Sequence, residues 1–146
     1  MPSYANLIDG EMVATARTLD VINPATEEVI GQVPACGKEE LDRAVAAARR
    51  AFRSWKATPV EERRTAIRAI GAAIKDNAEE LYRLLTAEQG KPHHQAKGEI
   101  LGAAGLAAAQ AGLTLDDVIN QDDATRLSRT RRVPVGVVGG IVPWNF

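Results

Sequence analysis

From Pro134 to Val142 the chain runs Pro-Val-Gly-Val-Val-Gly-Gly-Ile-Val without one polar side chain. An unbroken apolar run of this length is the pattern of a strand buried on both faces of a parallel sheet, since a wetted face would demand alternating polar residues. Counted from Val133 to Val142, it reaches about half of the roughly 20 residues that a membrane helix needs. Such a strand requires neighbours at its edges and helices over its faces. Phe146 follows shortly after, so the expectation is a piece of a larger α/β protein. Left uncovered, the run predicts marginal solubility.

The residues ahead of this run fall into two styles. Leu7-Ile8, the turn pair Asp9-Gly10 and Met12-Val13 read as a hairpin, and Val21-Ile22 with Val29 to Val33 read as further short strands around Asn23-Pro24-Ala25-Thr26. From Lys38 the period lengthens. Leu41, Val45, Ala48 and Phe52 share one face of a helix, with Arg43, Arg49 and Arg50 on the wet side. Thr58-Pro59-Val60-Glu61 predicts a second helix with a threonine N-cap, a first-turn proline and a capping box; its core face is Val60, Ile67, Ile70 and Ile74. Asn77-Ala78-Glu79-Glu80 predicts a third helix by the same capping logic, with Leu81, Leu84 and Leu85 inward and Gly90-Lys91-Pro92 as its stop. An alanine-rich fourth helix spans roughly Pro92 to Ala111, with Gly98, Gly102 and Gly105 as points of close packing and Gly112 as its end. Leu113 to Ala124 reads as a polar connection, and Arg126 to Arg132 as a loosely alternating segment.

Eighteen basic and nineteen acidic side chains leave a net charge of -1, which supplies no field to gather nucleic acid or an anionic membrane. A small neutral molecule is the expected partner class; nucleic acid and membrane are not. One cysteine, Cys36, excludes an internal disulfide, and Met1 to Asn6 has no leader character, so a cytoplasmic setting is expected. Cys36 has no histidine near it in sequence and reads as structural rather than nucleophilic. His93 and His94 are adjacent on a helix, where their side chains diverge and cannot chelate one ion. Arg126, Arg129, Arg131 and Arg132 read as a solvated or subunit-facing ribbon, there being no aromatic residues among them.

Several segments, in order, resemble the aldehyde dehydrogenase superfamily. They are Leu7-Ile8-Asp9-Gly10-Glu11, Val21-Ile22-Asn23-Pro24-Ala25-Thr26-Glu27, Ala44 to Phe52 with Trp55, Glu61-Glu62-Arg63, Glu88-Gln89-Gly90-Lys91-Pro92, Glu99-Ile100, Pro134-Val135-Gly136-Val137-Val138 and Pro143-Trp144-Asn145-Phe146. The resemblance spans nearly the whole chain. It implies the N-terminal part of that α/β fold: short strands and a cluster of about four helices over 1–125, an oligomerisation ribbon over 126–133, and over 134–146 the first strand of a doubly wound dinucleotide-binding sheet. Glu88 to Pro92 with Ala96 to Ile100 is similar to semialdehyde-oxidising members.

By the same resemblance the complete enzyme oxidises a small-molecule aldehyde to a carboxylic acid with NAD or NADP, through a cysteine thiohemiacetal and thioester, as a homo-oligomer. Asn145 is then the side-chain donor of an oxyanion hole. A neutral amide suits that task, because it stabilises the developing alkoxide without protonating it or perturbing a thiolate. Ile141, Val142, Pro143 and Trp144 would lie along the cofactor near its nicotinamide ribose, at the carboxyl end of a strand, where such sheets place ligands. Gly136 to Gly140 lacks the G-x-G-x-x-G spacing, so it is not a dinucleotide fingerprint. Val21, Ile22 and Glu88 match positions that hold a monovalent cation in some relatives; a helix-end carboxylate beside a loop is the competing reading. The nucleophilic cysteine, its glutamate base and a cofactor-contacting lysine are expected beyond Phe146, so the chain alone is expected to be inactive. The alternative is a binding fragment that associates with a full-length homologue.

Overall fold

The computed structural model describes residues 4–142. Its elements follow the order of four short strands, four helices and a final hairpin. Strands β1 (Asn6–Ile8) and β2 (Glu11–Val13) pair antiparallel with Leu7 opposite Met12. Asp9 and Gly10 join them with φ of 57° and 82°, the two left-handed residues that a tight hairpin turn requires. Strands β3 (Thr18–Ile22) and β4 (Val29–Pro34) form a second antiparallel pair with an irregularity at Val21 and Ile22. Asn23 organises their connection. Its side-chain oxygen accepts the Ala25 N–H at 2.9 Å, and its carbonyl accepts the Glu27 N–H at 2.8 Å.

Helix α1 (Lys38–Trp55) opens at Gly37, whose N–H donates to the Glu40 carboxylate at 2.7 Å. The inward side of α1 is Ala47, with Val45, Ala48 and Phe52 half-buried; Leu41, expected inside, stays 62% exposed. Arg50 ties the helix to the first hairpin through Asp9 at 2.7 Å.

Helix α2 (Val60–Asp76) starts without the expected cap. Pro59 has ψ of 144°, so helical backbone begins one residue later and Thr58 lies too far back to reach the open N–H groups. The Thr58 hydroxyl instead faces the Ser54 carbonyl, and Glu61 pairs with Arg64. Asn77, expected to cap α3 (Ala78–Gln89), donates its amide to the Ala73 carbonyl at 2.8 Å and so finishes α2 instead. Helix α3 ends at Gly90 in the left-handed conformation, φ 73°, with its N–H on the Thr86 carbonyl at 2.8 Å.

Helix α4 (His93–Ala111) packs against α2 and α3, burying Ala96, Ala104 and Ala111 on that side and Ala78 and Tyr82 on α3. The close approach comes from the opposite partner to the one expected. At Gly71 of α2, an added Cβ would stand 3.0 Å from the Ala104 carbonyl oxygen and 3.2 Å from the Ala107 Cβ. Added Cβ atoms at Gly98, Gly102 and Gly105 would meet nothing within 4 Å. Those three glycines therefore contribute no close contact here.

Beyond α4, β5 (Val118–Asp122) and β6 (Leu127–Thr130) pair antiparallel, so a strand lies inside the stretch expected to be a connection. The run from Pro134 to Val142, expected to be a buried strand, pairs with no strand among the described residues. Val135 is 93% exposed and Ile141 102%. A strand is completed by neighbours that take its N–H and C=O groups, and the other described segments supply none. No helix among the described residues is long and apolar enough to cross a membrane.

Candidate functional site

Two of the three residues expected at a cation site come together. Val21 of β3 and Glu88 of the last turn of α3 line one small cavity of about 140 Å³, walled by Tyr4, Ile30, Gly31, Val33 and Leu84. Ile22 points elsewhere and is about half exposed, as expected for the next residue along a pleated strand. Glu88 also borders a second, open cleft with Pro24, Gln89, Gly90, Lys91, Pro92 and Gln95. Gly90 fixes the distance between these parts. Its missing Cβ would lie 3.0 Å from the Pro24 Cγ, so the end of α3 sits directly on the loop between β3 and β4.

The donor set is chemically sparse. No group of three or more histidine, cysteine, aspartate or glutamate side chains that could hold a metal occurs among the described residues. Glu88 is the one carboxylate on a largely apolar lining, which does not suit calcium or zinc, since these collect several charged or nitrogen and sulfur ligands.

Sequence reasoning missed an ion pair beside this cleft. Lys91, just before α4, meets Glu99, with both side chains largely covered. Lys91 lies ahead of α4, outside the i+3 and i+4 spacings at which helical side chains pair, so helix periodicity gave no clue to it. With Gln95, Gly98, Gly102, Ala103 and Leu106, the pair borders an open groove of about 700 Å³ along α4.

The remaining expectations divide plainly. Ile141 and Val142 are described and nearly fully exposed, without a wall around them. Pro143, Trp144 and Asn145 lie outside the described residues. Cys36 is an exposed thiol whose sulfur accepts the Asn6 amide at 2.8 Å. His93 sets its ring edge-on to Tyr82, centroids 5.5 Å apart, and Arg83 lies over the same tyrosine ring. Arg129 and Arg131 both face Asp117 at 3.5 Å, and Arg132 donates to the Asp116 carbonyl. Three of the four arginines thus lean on groups at or just ahead of β5.

Electrostatic perturbation falls in three places: the first turn of α1, the α3 face where the Arg83 guanidinium holds the Glu79 carboxyl below its usual range, and the β5–β6 turn. Backbone N–H donation from Gly37 holds the Glu40 carboxyl below its usual range. Asp123, in the β5–β6 turn, is lowered far more, because the Thr125 hydroxyl, the Gln121 amide and the N–H groups of Thr125 and Arg126 all donate to it. These shifts belong to folding rather than to chemistry on a ligand.

The profile of the Aldehyde dehydrogenase family matches residues 12–146. A probable aldehyde dehydrogenase from Pseudomonas sp is 42% identical over 99% of this chain and 30% of its own length. Malonate-semialdehyde dehydrogenase 1 of Geobacillus thermodenitrificans is 41% identical over 97% of this chain, and 3-sulfolactaldehyde dehydrogenase of Pseudomonas putida 39% over 95%. Each of these is likewise covered over 30% of its length, so the chain spans about a third of its curated relatives. Among solved structures, a double mutant of betaine aldehyde dehydrogenase from Staphylococcus aureus, crystallised with NAD+, superposes with a TM-score of 0.89. It is 37% identical over 98% of this chain and 30% of that one. The chain belongs to the aldehyde dehydrogenase family and has the fold of that family's N-terminal portion.

Proposed function

We propose that this chain is the N-terminal part of an enzyme that oxidises an aldehyde to a carboxylic acid with NAD or NADP. The observation that carries the reading is the 42% identity over 99% of the chain to a probable aldehyde dehydrogenase, with Pro143-Trp144-Asn145-Phe146 inside the family match. In the whole enzyme, Asn145 donates its amide N–H to the oxygen of the aldehyde as a cysteine thiolate adds to the carbonyl carbon. That donor is worth most when the oxygen carries full negative charge, which is how it lowers the barrier rather than merely tightening binding. The bound dinucleotide supplies the hydride acceptor. Ile141, Val142, Pro143 and Trp144 would hold it near its nicotinamide ribose. Water then hydrolyses the resulting thioester. A monovalent cation, where bound, would be held by the main-chain carbonyls of Val21 and Ile22 and the Glu88 carboxylate, and would neutralise that carboxylate at the junction of β3 with α3. Residues 126–133 form an assembly ribbon, so the whole enzyme works as a homo-oligomer.

On this proposal the chain by itself performs none of this chemistry: its one cysteine, Cys36, lies ahead of α1 with no histidine near it in sequence to activate it. The purified 146-residue polypeptide should form no NADH from malonate semialdehyde, 3-sulfolactaldehyde or betaine aldehyde. The open reading frame that contains it, expressed whole, should form NADH from at least one of them. Absence of turnover from the whole frame, or turnover by the short chain, would overturn the assignment.

A second reading is supported by the exposed Val135 to Val142 run and the open side of α4. The chain would act by binding a full-length homologue. Co-expression with a tagged homologue should then recover a stoichiometric complex, whereas a monodisperse monomer that ignores the homologue excludes it.

A further inference from the structure

We draw no further inference here: the strongest candidate, the open groove along α4 between Lys91 and Leu106, is an unpartnered face, and nothing in the structure shows what covers it.

Discussion

The α2–α4 cluster and the stretch from Val133 to Val142 are both rich in small and branched apolar residues, yet only the first is packed. In the cluster, Ala96 and Ala111 are essentially sealed, and Gly71 admits α4 to the α2 backbone at contact distance. In the stretch, Val135, Val138, Ile141 and Val142 all stand in solvent. The difference is one of hydrogen bonding before it is one of hydrophobicity. A helix satisfies its own backbone and needs a partner for one face only, whereas a strand needs partners for its backbone as well. Local sequence can therefore finish the first and only prepare the second.

Five substitutions, one of them read through a pH titration, would break or sharpen this contrast. The largest effect belongs to the residues that directly follow the stretch, in a complete enzyme and on the role proposed for Asn145. There, Asn145→Ala should lower turnover on the order of 100-fold or more, as loss of an oxyanion donor does. Stopped-flow measurement of the first NADH turnover checks it, and an unchanged acylation rate removes Asn145 from that role. Next comes the cluster. Gly71→Val should cost about 1–3 kcal/mol through overpacking against Ala104 and Ala107, read as a lower urea midpoint with the slope preserved.

Gly90→Ala should cost about 1 kcal/mol, because a left-handed residue gains a Cβ against Pro24. Thermal unfolding by circular dichroism would show it, and an equal or higher midpoint would contradict the Gly90–Pro24 contact. The acid limb of stability is smaller. Glu40 and Asp123 have lowered carboxyl pKa values in the fold, so their contribution is fully present above the unfolded carboxylate range and is lost as pH falls through the folded values. Glu40→Gln should flatten the stability profile on the acid side and leave the neutral side in place apart from a constant offset. The smallest effect is expected at Val138→Thr in this chain. A side chain 73% exposed should change stability by no more than about 0.5 kcal/mol; a larger loss would mean that the stretch is packed.

Much of this was legible in the sequence where one residue type has one physical reason. Asp9-Gly10 specified its hairpin because few other pairs tolerate two left-handed residues in succession. Gly90 marked the end of α3 for the same reason, and all four helices lie where the longer period placed them. Caps were misread because α2 begins one residue too late for Thr58 to reach its open N–H groups, and because the Asn77 amide turns back to the Ala73 carbonyl. Strand β5 was missed because a hairpin wet on both faces has no alternation to detect. Gly71 went unnoticed beside the more numerous glycines of α4, since close approach depends on which face a partner takes. At the candidate site, Val21 and Glu88 are named from resemblance alone and line one cavity, while the Lys91–Glu99 pair depends on a turn that no periodicity reports.

The contact between Gly90 and Pro24 also bears on sequence drift. Because the two positions share one volume, a larger residue at the end of α3 is admissible only if the β3–β4 loop gives up its ring, and the reverse exchange faces the same limit. Homologous chains should therefore keep the pair or change it jointly. Where they change it, the carboxylate position two residues before the glycine should be freed to vary as well.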